Sequence, residues 1–126
     1  MKKEIRNKTI ICLVIVFTVV YVYNKFSTKS MIIGKYVNKN YGNTFIGENP
    51  HIADTLILYD NNHFRSGYYG DGEYKLFYGF NGTRIALSYK DKYGDNGFTT
   101  SIDRLYFFGN LKINLYVDLN QYYEKI

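Results

Sequence analysis

Short runs of alternating apolar and polar residues limit the fold of this chain more than any other feature. In "TRIALSYK" the side chains of Ile85, Leu87 and Tyr89 fall on one face, and polar or small residues fall on the other. The same alternation recurs in "DTLILY", "GEYKLFY" and "KINLYVDL". A period of two is typical of a β-strand with one buried face. The chain after residue 30 is therefore predicted to be all-β.

Turn residues connect these runs at short intervals. Asn81-Gly82 stands between two alternating runs, and this pair is a strong signal for a type I′ hairpin, whose two central residues both need positive φ. Asp60-Asn61-Asn62 predicts another short hairpin loop. No segment after residue 30 has the period of a helix. We predict seven or eight strands in a sequential antiparallel meander.

One apolar segment precedes the strands. Residues 9–23 contain no charged residue, no glycine and no proline. As a helix they would span about 22 Å, at roughly 1.5 Å per residue. Lys8 and Lys25 flank the segment and can reach the two membrane surfaces, while Tyr21 and Tyr23 suit one interface. The segment is therefore predicted to be one transmembrane helix at the N-terminal side of the β domain.

The residues around the apolar segment indicate how it is used. Residues 1–8 are basic and are expected in the cytoplasm, because positive charge before a span keeps that end inside. Residues 9–23 would then be an uncleaved signal anchor, residues 24–31 a polar tether and residues 32–126 an extracytoplasmic β domain. This describes a single-pass protein of the inner or cell membrane. A cleaved signal peptide is the alternative, although its cleavage site would be weak, and a lipoprotein is excluded because Cys12 lies near the start of the apolar run.

The positive charge of the chain belongs to its N-terminal segment. The net charge is +5, and residues 1–30 account for all of it, with six basic residues against Glu4. The rest of the chain holds ten basic and ten acidic residues. A nucleic-acid-binding domain needs a basic face of its own, so we expect no nucleic-acid partner. Since Cys12 is the only cysteine, the β domain has no disulfide and no thiolate nucleophile.

The first strands resemble those of small bacterial lipocalin-like β-barrel domains, including membrane-anchored ones without an assigned activity. The shared features are a Gly-x-Tyr on the first strand (Gly34, Tyr36), the hairpin "TLILYDNNHF", and a Gly-x-Tyr on the return strand (Gly72, Tyr74). The resemblance covers most of residues 32–117. It implies a small antiparallel meander barrel or half-barrel, a fold that often binds apolar ligands.

Two pairs of adjacent tyrosines are the candidate contact residues for a partner or a ligand. Neighbouring residues on a strand point to opposite faces of the sheet. One ring of Tyr68-Tyr69 and one ring of Tyr122-Tyr123 are therefore expected on the surface. The other tyrosines are taken as strand residues, since tyrosine fits a pleated, half-buried surface.

Arg104 is the candidate residue for closing the barrel. In lipocalins an arginine near the last strand closes one barrel end against the aromatic residue of the first strand. By this resemblance Arg104 is expected to stack on Tyr36. A buried arginine needs partners, so the expected role is structural, with ligand binding as the alternative.

No catalytic motif accompanies these residues. His51 and His63 are the only histidines, and the chain has no nucleophile elbow and no phosphate loop. The Asp- and Gly-rich run 54–76 lacks the ligand order of an EF-hand, so its acidic residues are taken as turn residues. We expect no enzyme activity, no cofactor and no metal. The expected function is a membrane-tethered binding module for a protein or envelope partner, for example an immunity-type protein, and the alternative is an apolar-ligand-binding protein.

Overall fold

The chain forms a closed eight-stranded antiparallel β-barrel that follows one long helix. A computed structural model describes residues 1–42 and 50–126. Helix α1 covers Lys2–Lys25 and the short α2 covers Lys29–Ile32. The strands are β1 Gly34–Lys39, β2 Thr55–Leu58, β3 His63–Ser66, β4 Gly70–Gly79, β5 Gly82–Asp91, β6 Gly94–Arg104, β7 Leu111–Tyr116 and, after a 3-10 turn at Val117–Leu119, β8 Gln121–Lys125. Each strand pairs with the next and β8 returns to β1, which confirms the predicted meander.

The inward faces of the strands fill the barrel with apolar side chains. Ile85 and Leu87 are buried, as the alternation of their strand requires, while Tyr89 is half-buried. Burying one such side chain contributes about 1.5–3 kcal/mol, so interior packing is the main source of stability. The buried cluster consists of Ile32, Tyr36, Leu56, Leu58, Phe64, Tyr69, Tyr74, Ile85, Leu87, Ile102, Leu111, Ile113 and Tyr123.

Residues 26–33 cross one end of the barrel, which we call the helix-side end. The N–H of Ser27 donates to Thr83 Oγ1 (3.0 Å), and the carbonyl of Ser27 accepts a hydrogen bond from Tyr78 (2.9 Å). Ile32 is fully buried, and its carbonyl accepts a hydrogen bond from the Tyr36 hydroxyl (2.5 Å). The segment expected as a polar tether is therefore packed on the barrel, because its backbone groups find partners there.

The β4–β5 hairpin differs from the predicted turn by one residue. Gly79 pairs with Gly82, so the loop is Phe80-Asn81 and not Asn81-Gly82. Neither loop residue has positive φ, whereas Gly82 has φ +109°. The type I′ assignment is therefore wrong. A glycine is required after the turn for a second reason, since a Cβ on Gly82 would lie 2.6 Å from the carbonyl oxygen of Lys25.

Replacing Gly82 by alanine is expected to destabilise the barrel more than the matched change at Gly94. Both glycines have positive φ, +109° and +116°, and a side chain in such a conformation costs about 1–3 kcal/mol. Only at Gly82 would the new Cβ meet the end of α1, while nothing lies within 4 Å at Gly94. Thermal melts of the full chain in mild detergent measure both losses. Equal losses would mean that the helix end does not rest on this hairpin.

Candidate functional site

A groove at the far end of the barrel, opposite the helix-side end, is the strongest candidate for a binding site. Its volume is about 1050 Å³ and it opens to solvent. The groove lies between the β3–β4 turn and the β5–β6 hairpin, and its walls include Tyr68, Tyr69, Phe98 and Tyr116. Tyrosine walls offer a large contact area at low cost in conformational entropy. We call this site the far-end groove.

The far-end groove exists because β6 and β7 separate. The two strands pair only between Ile102–Arg104 and Leu111–Ile113, although β6 begins at Gly94. The side chain of Asn114 marks the point of separation, since its Nδ2 donates to Ser101 Oγ at 2.7 Å. From Ser101 back towards the hairpin, β6 pairs with β5 on one side and, within the described residues, with no strand on the other.

Along the groove, this edge of β6 therefore has no partner strand among residues 1–42 and 50–126. Consecutive residues of an antiparallel strand turn their N–H and C=O groups alternately to its two sides. Counted from the two-residue turn of the β5–β6 hairpin, the backbone groups of Asp95, Gly97 and Thr99 turn away from β5. The Gly97 N–H donates to the side chain of Asn96 at 2.8 Å. Unpaired backbone groups along an edge form a template for an added strand.

The β3–β4 turn presents one tyrosine ring and buries the other. Tyr68 is 42% exposed, whereas Tyr69 is 5% exposed. The two rings meet edge to face at 4.7 Å between centroids, and Tyr69 also packs against Tyr89 and Phe98. Tyr69 thus forms part of the barrel core below the groove, while the ring of Tyr68 lies partly exposed at its wall.

The pair on β8 is buried, so the prediction of an exposed ring there is wrong. Tyr122 is 7% exposed and Tyr123 is fully buried. The Tyr123 ring points into the barrel, where its hydroxyl donates to Asp54 Oδ2 at 2.5 Å. The ring of Tyr122 lies on the other face, covered by neighbours that include Lys112, whose Nζ is 5.4 Å from the ring centroid. Neither ring is therefore exposed in the way that the adjacent pair predicted.

Asp54 organises the groove, and the sequence alone did not reveal this role. Its carboxylate accepts hydrogen bonds from Tyr123 and from Ser66 Oγ (2.7 Å). Ser66 Oγ in turn accepts from the N–H groups of Tyr68 (3.1 Å) and Tyr69 (3.0 Å). One carboxylate thereby connects β8 to the turn that carries the groove tyrosines. In the sequence Asp54 only resembled a residue at the start of a strand, because its partners lie up to 69 positions away.

Gly67 allows the turn to approach this carboxylate. A Cβ at Gly67 would lie 2.6 Å from Asp54 Oδ1, which also accepts a hydrogen bond from the Tyr68 N–H at 3.2 Å. Burial, and then the hydrogen bond to Asp54, raise the pKa of Tyr123 above its usual range. The Tyr123 hydroxyl therefore remains a donor to Asp54 at neutral pH.

Arg104 pairs with helix α1, so the predicted stacking on Tyr36 is wrong. The guanidinium carbon lies 4.1 Å from the centroid of the Tyr23 ring. Nε donates to the carbonyl of Tyr23 (3.0 Å) and a terminal nitrogen donates to the carbonyl of Gly109 (3.1 Å). The aromatic partner comes from α1 because the helix ends beside β6, whereas Tyr36 on β1 donates to Ile32.

Polar side chains line a second, more open hollow beside the groove. Its volume is about 960 Å³, and it includes His63, Asp71, Glu73, Lys90 and Asp95. His63 Nε2 lies 3.6 Å from Glu73 Oε1 in an exposed pair. Within residues 1–42 and 50–126, no three His, Cys, Asp or Glu side chains come together as ligands for a metal ion.

Arg104→Ala is expected to lower the free energy of unfolding by about 1–3 kcal/mol, because two hydrogen bonds from a charged donor and one cation–π contact are lost. Arg104→Lys is expected to restore only part of the loss, since lysine lacks the planar fork. Arg84→Ala is the matched control, because Arg84 lies exposed on β5. Thermal melts of the full chain in detergent measure all three variants, and coincident curves for wild type and Arg104→Ala would contradict the assigned contacts.

The free energy of unfolding is expected to fall above about pH 10. Burial raises the pKa of Tyr36 and of Tyr123, so the unfolded chain loses these two protons first. The stability that the two protonated tyrosines add to the folded state is fully present below about pH 10, the pKa of tyrosine in the unfolded chain. At higher pH the free energy of unfolding declines by about 1.4 kcal/mol per pH unit for each tyrosine.

Alkaline unfolding curves of two variants test this assignment. Tyr36→Phe removes one titrating hydroxyl, so the decline with pH is expected to become shallower. Tyr93→Phe is the control for loss of a hydroxyl at the surface, since Tyr93 is 85% exposed. A slope in Tyr36→Phe as steep as in the wild type would show that Tyr36 ionises equally in both states.

Comparison with known proteins identifies no relative of this chain, so the function has to be inferred from the fold and the groove. The chain matches no protein-family model, no curated protein and no solved structure at a significant level. Of the predicted lipocalin-like architecture, the structure confirms a closed eight-stranded antiparallel barrel that follows one apolar helix.

Proposed function

We propose that this protein is a membrane-anchored, non-catalytic binding module that holds a protein partner in the far-end groove. The observation that carries the proposal is the edge of β6, which has no partner strand in the described part of the chain and runs along a groove walled by Tyr68 and Tyr116. A closed barrel normally leaves no strand edge exposed. An edge that opens into an aromatic groove is suited to an extended segment of another protein.

Helix α1 supplies the anchor. It is long and apolar enough to cross a membrane, with a mean hydropathy of 1.9, and its apolar window is not buried against the barrel. In water this surface would be an exposed apolar patch far larger than soluble proteins carry. The basic residues 1–8 favour a cytoplasmic N-terminus. On this basis the barrel lies in the cell envelope, beside the inner or cell membrane.

The partner binds by strand addition. The backbone groups of Asp95 and Thr99 and the carbonyl of Gly97 supply hydrogen bonds along the edge, since the Gly97 N–H already donates to Asn96. The rings of Tyr68 and Tyr116 contact the side chains of the added strand. Backbone pairing provides affinity without a charged surface, which agrees with the zero net charge of the barrel domain. An immunity-type protein that captures an extended segment of a toxin is one form of this function.

A small apolar ligand is the alternative occupant, because lipocalin-like barrels often hold such ligands inside. In this barrel the interior positions are taken by bulky buried side chains, among them Tyr36, Phe64 and Tyr123. These side chains favour an occupant in the far-end groove over one in the interior. The proposed partner is therefore a protein.

Photo-crosslinking in cells tests the proposal. A benzophenone amino acid replacing Tyr68 or Tyr116 is expected to join the chain to a discrete envelope protein, whereas the same residue at Arg84, exposed on β5, is not. Thr99→Pro is expected to abolish the adduct, because proline removes the edge N–H and is tolerated at an edge. Thr99→Val is the matched control, since it keeps that N–H and a branched side chain.

Three outcomes contradict the proposal. Equal adducts at Arg84 and Tyr68 would mean that the groove has no selectivity. An adduct that survives Thr99→Pro, in a variant whose melting temperature is unchanged, would exclude strand addition. An adduct of lipid mass at Tyr68 would support the apolar-ligand alternative instead.

A further inference from the structure

Four aromatic side chains are exposed on two loops at the helix-side end of the barrel. Phe80 at the tip of the β4–β5 hairpin is 98% exposed, and the β6–β7 loop exposes Tyr106 (85%), Phe107 (72%) and Phe108 (61%). We call these four residues the aromatic collar. Large aromatic rings grouped on a surface mark an interaction site, and the far-end groove does not use them because it lies at the opposite end.

The collar surrounds α1 at the point where its apolar segment ends. The hydroxyl of Tyr21 donates to the carbonyl of Phe80 at 2.6 Å. On the second loop, the ring of Phe108 lies 5.4 Å from the ring of Tyr23. Both loops are thus level with Tyr21 and Tyr23, the two aromatic residues in the last turns of the helix.

The backbone of the β6–β7 loop is held in an unusual conformation that exposes its rings. Tyr106, Phe107 and Phe108 have φ of 50°, 56° and 61°. Left-handed backbone is unfavourable for such residues and persists only where the surroundings hold it. Here Asn24 on α1 accepts from the Phe108 N–H at 2.9 Å, and the Gly109 N–H donates to the carbonyl of Leu105 at 3.1 Å.

Gly109 is required for this loop. A Cβ at Gly109 would lie 2.1 Å from the carbonyl oxygen of Leu105, closer than any side chain can be placed. The carbonyl of Gly109 also accepts a hydrogen bond from Arg104, which stacks on Tyr23. The loop that carries the collar is therefore built onto the end of the helix itself.

We propose that the aromatic collar enters the interfacial layer of the membrane that α1 crosses, so that the barrel is seated on the bilayer and not suspended above it. Aromatic residues concentrate at membrane interfaces, where a ring can lie at the level of the headgroups. The collar adds four such rings beside Tyr21 and Tyr23. The inference rests on the proposed membrane anchor and extends it to a second, barrel-borne contact with lipid.

The length of the apolar segment supports the same arrangement. Residues 9–23 span about 22 Å as a helix, which is shorter than a hydrocarbon core of about 30 Å. A short span draws the flanking residues towards the bilayer. Since Asn24 and Arg104 tie the collar to the helix end, the collar is drawn down with it.

Seating sets the direction of the far-end groove. The β4–β5 and β6–β7 loops contact the membrane, so the loops at the other end of the barrel point away from it. Tyr68 and the β6 edge then face the envelope space, where a partner can reach them. If the barrel could tilt on the membrane, Tyr68 and the β6 edge would not keep a fixed orientation towards the envelope space.

Single-tryptophan fluorescence tests the seating, because the chain contains no tryptophan. Four variants of the full chain are reconstituted in phosphatidylcholine–phosphatidylglycerol vesicles: Phe17→Trp in α1, Phe80→Trp and Phe107→Trp in the collar, and Tyr93→Trp in the β5–β6 turn at the far end. All four positions are exposed, so the new rings replace no packing. Lipids brominated near the glycerol end of the acyl chains serve as the quencher for the two collar variants and for Tyr93→Trp, and lipids brominated near the methyl end serve for Phe17→Trp.

The collar variants are expected to emit at shorter wavelength than Tyr93→Trp and to lose most of their emission with brominated lipid, while Tyr93→Trp keeps its emission. If Phe17→Trp is quenched but both collar variants behave like Tyr93→Trp, the helix is anchored and the seating is wrong. If Phe17→Trp is not quenched either, the anchor fails and the seating fails with it.

Discussion

The placement of the barrel relative to α1 depends on the hydrogen bonds that join the end of the helix to the barrel. Asn24 holds the β6–β7 loop, Arg104 binds the last turn of the helix, and Ser27 bonds to the start of β5. The contacts of Asn24 and Ser27 are at least partly buried, and buried donors and acceptors are costly when left unpaired. Helix and barrel therefore form one unit. The orientation of the α1 axis therefore determines the orientation of the barrel as a whole.

The separation of β6 from β7 is the second constraint. Closure removes the edges that would otherwise pair with other chains, and β8 does close onto β1. Between β6 and β7 the ladder stops at Ile102, leaving an edge that carries Asp95, Asn96 and Thr99. Charged and polar side chains discourage unselective pairing along an edge. Together with the aromatic walls of the groove, they restrict which chain can pair there in the proposed strand addition.

The two ends of the barrel have different surfaces, and each is organised by one polar side chain. At the helix-side end Asn24 supports apolar rings that suit lipid. At the far end Asp54 holds Ser66 and Tyr123, and through Ser66 the turn that presents Tyr68. In the proposed function, the packed core of the barrel carries the orientation set at the helix-side end to the groove at the far end.

The sequence by itself determined the apolar helix and the meander, because both follow from short-range patterns. These patterns are the apolar run, the alternation along each strand and the turn residues between strands, and none of them needs a distant partner. Only the tertiary structure decided the contacts between distant residues. Arg104 found Tyr23 and not Tyr36, and Tyr122 was covered, because these outcomes depend on which elements meet at each end of the barrel. Strand register likewise placed the gap between β6 and β7, since the alternation within each strand is the same whether or not its neighbour is paired.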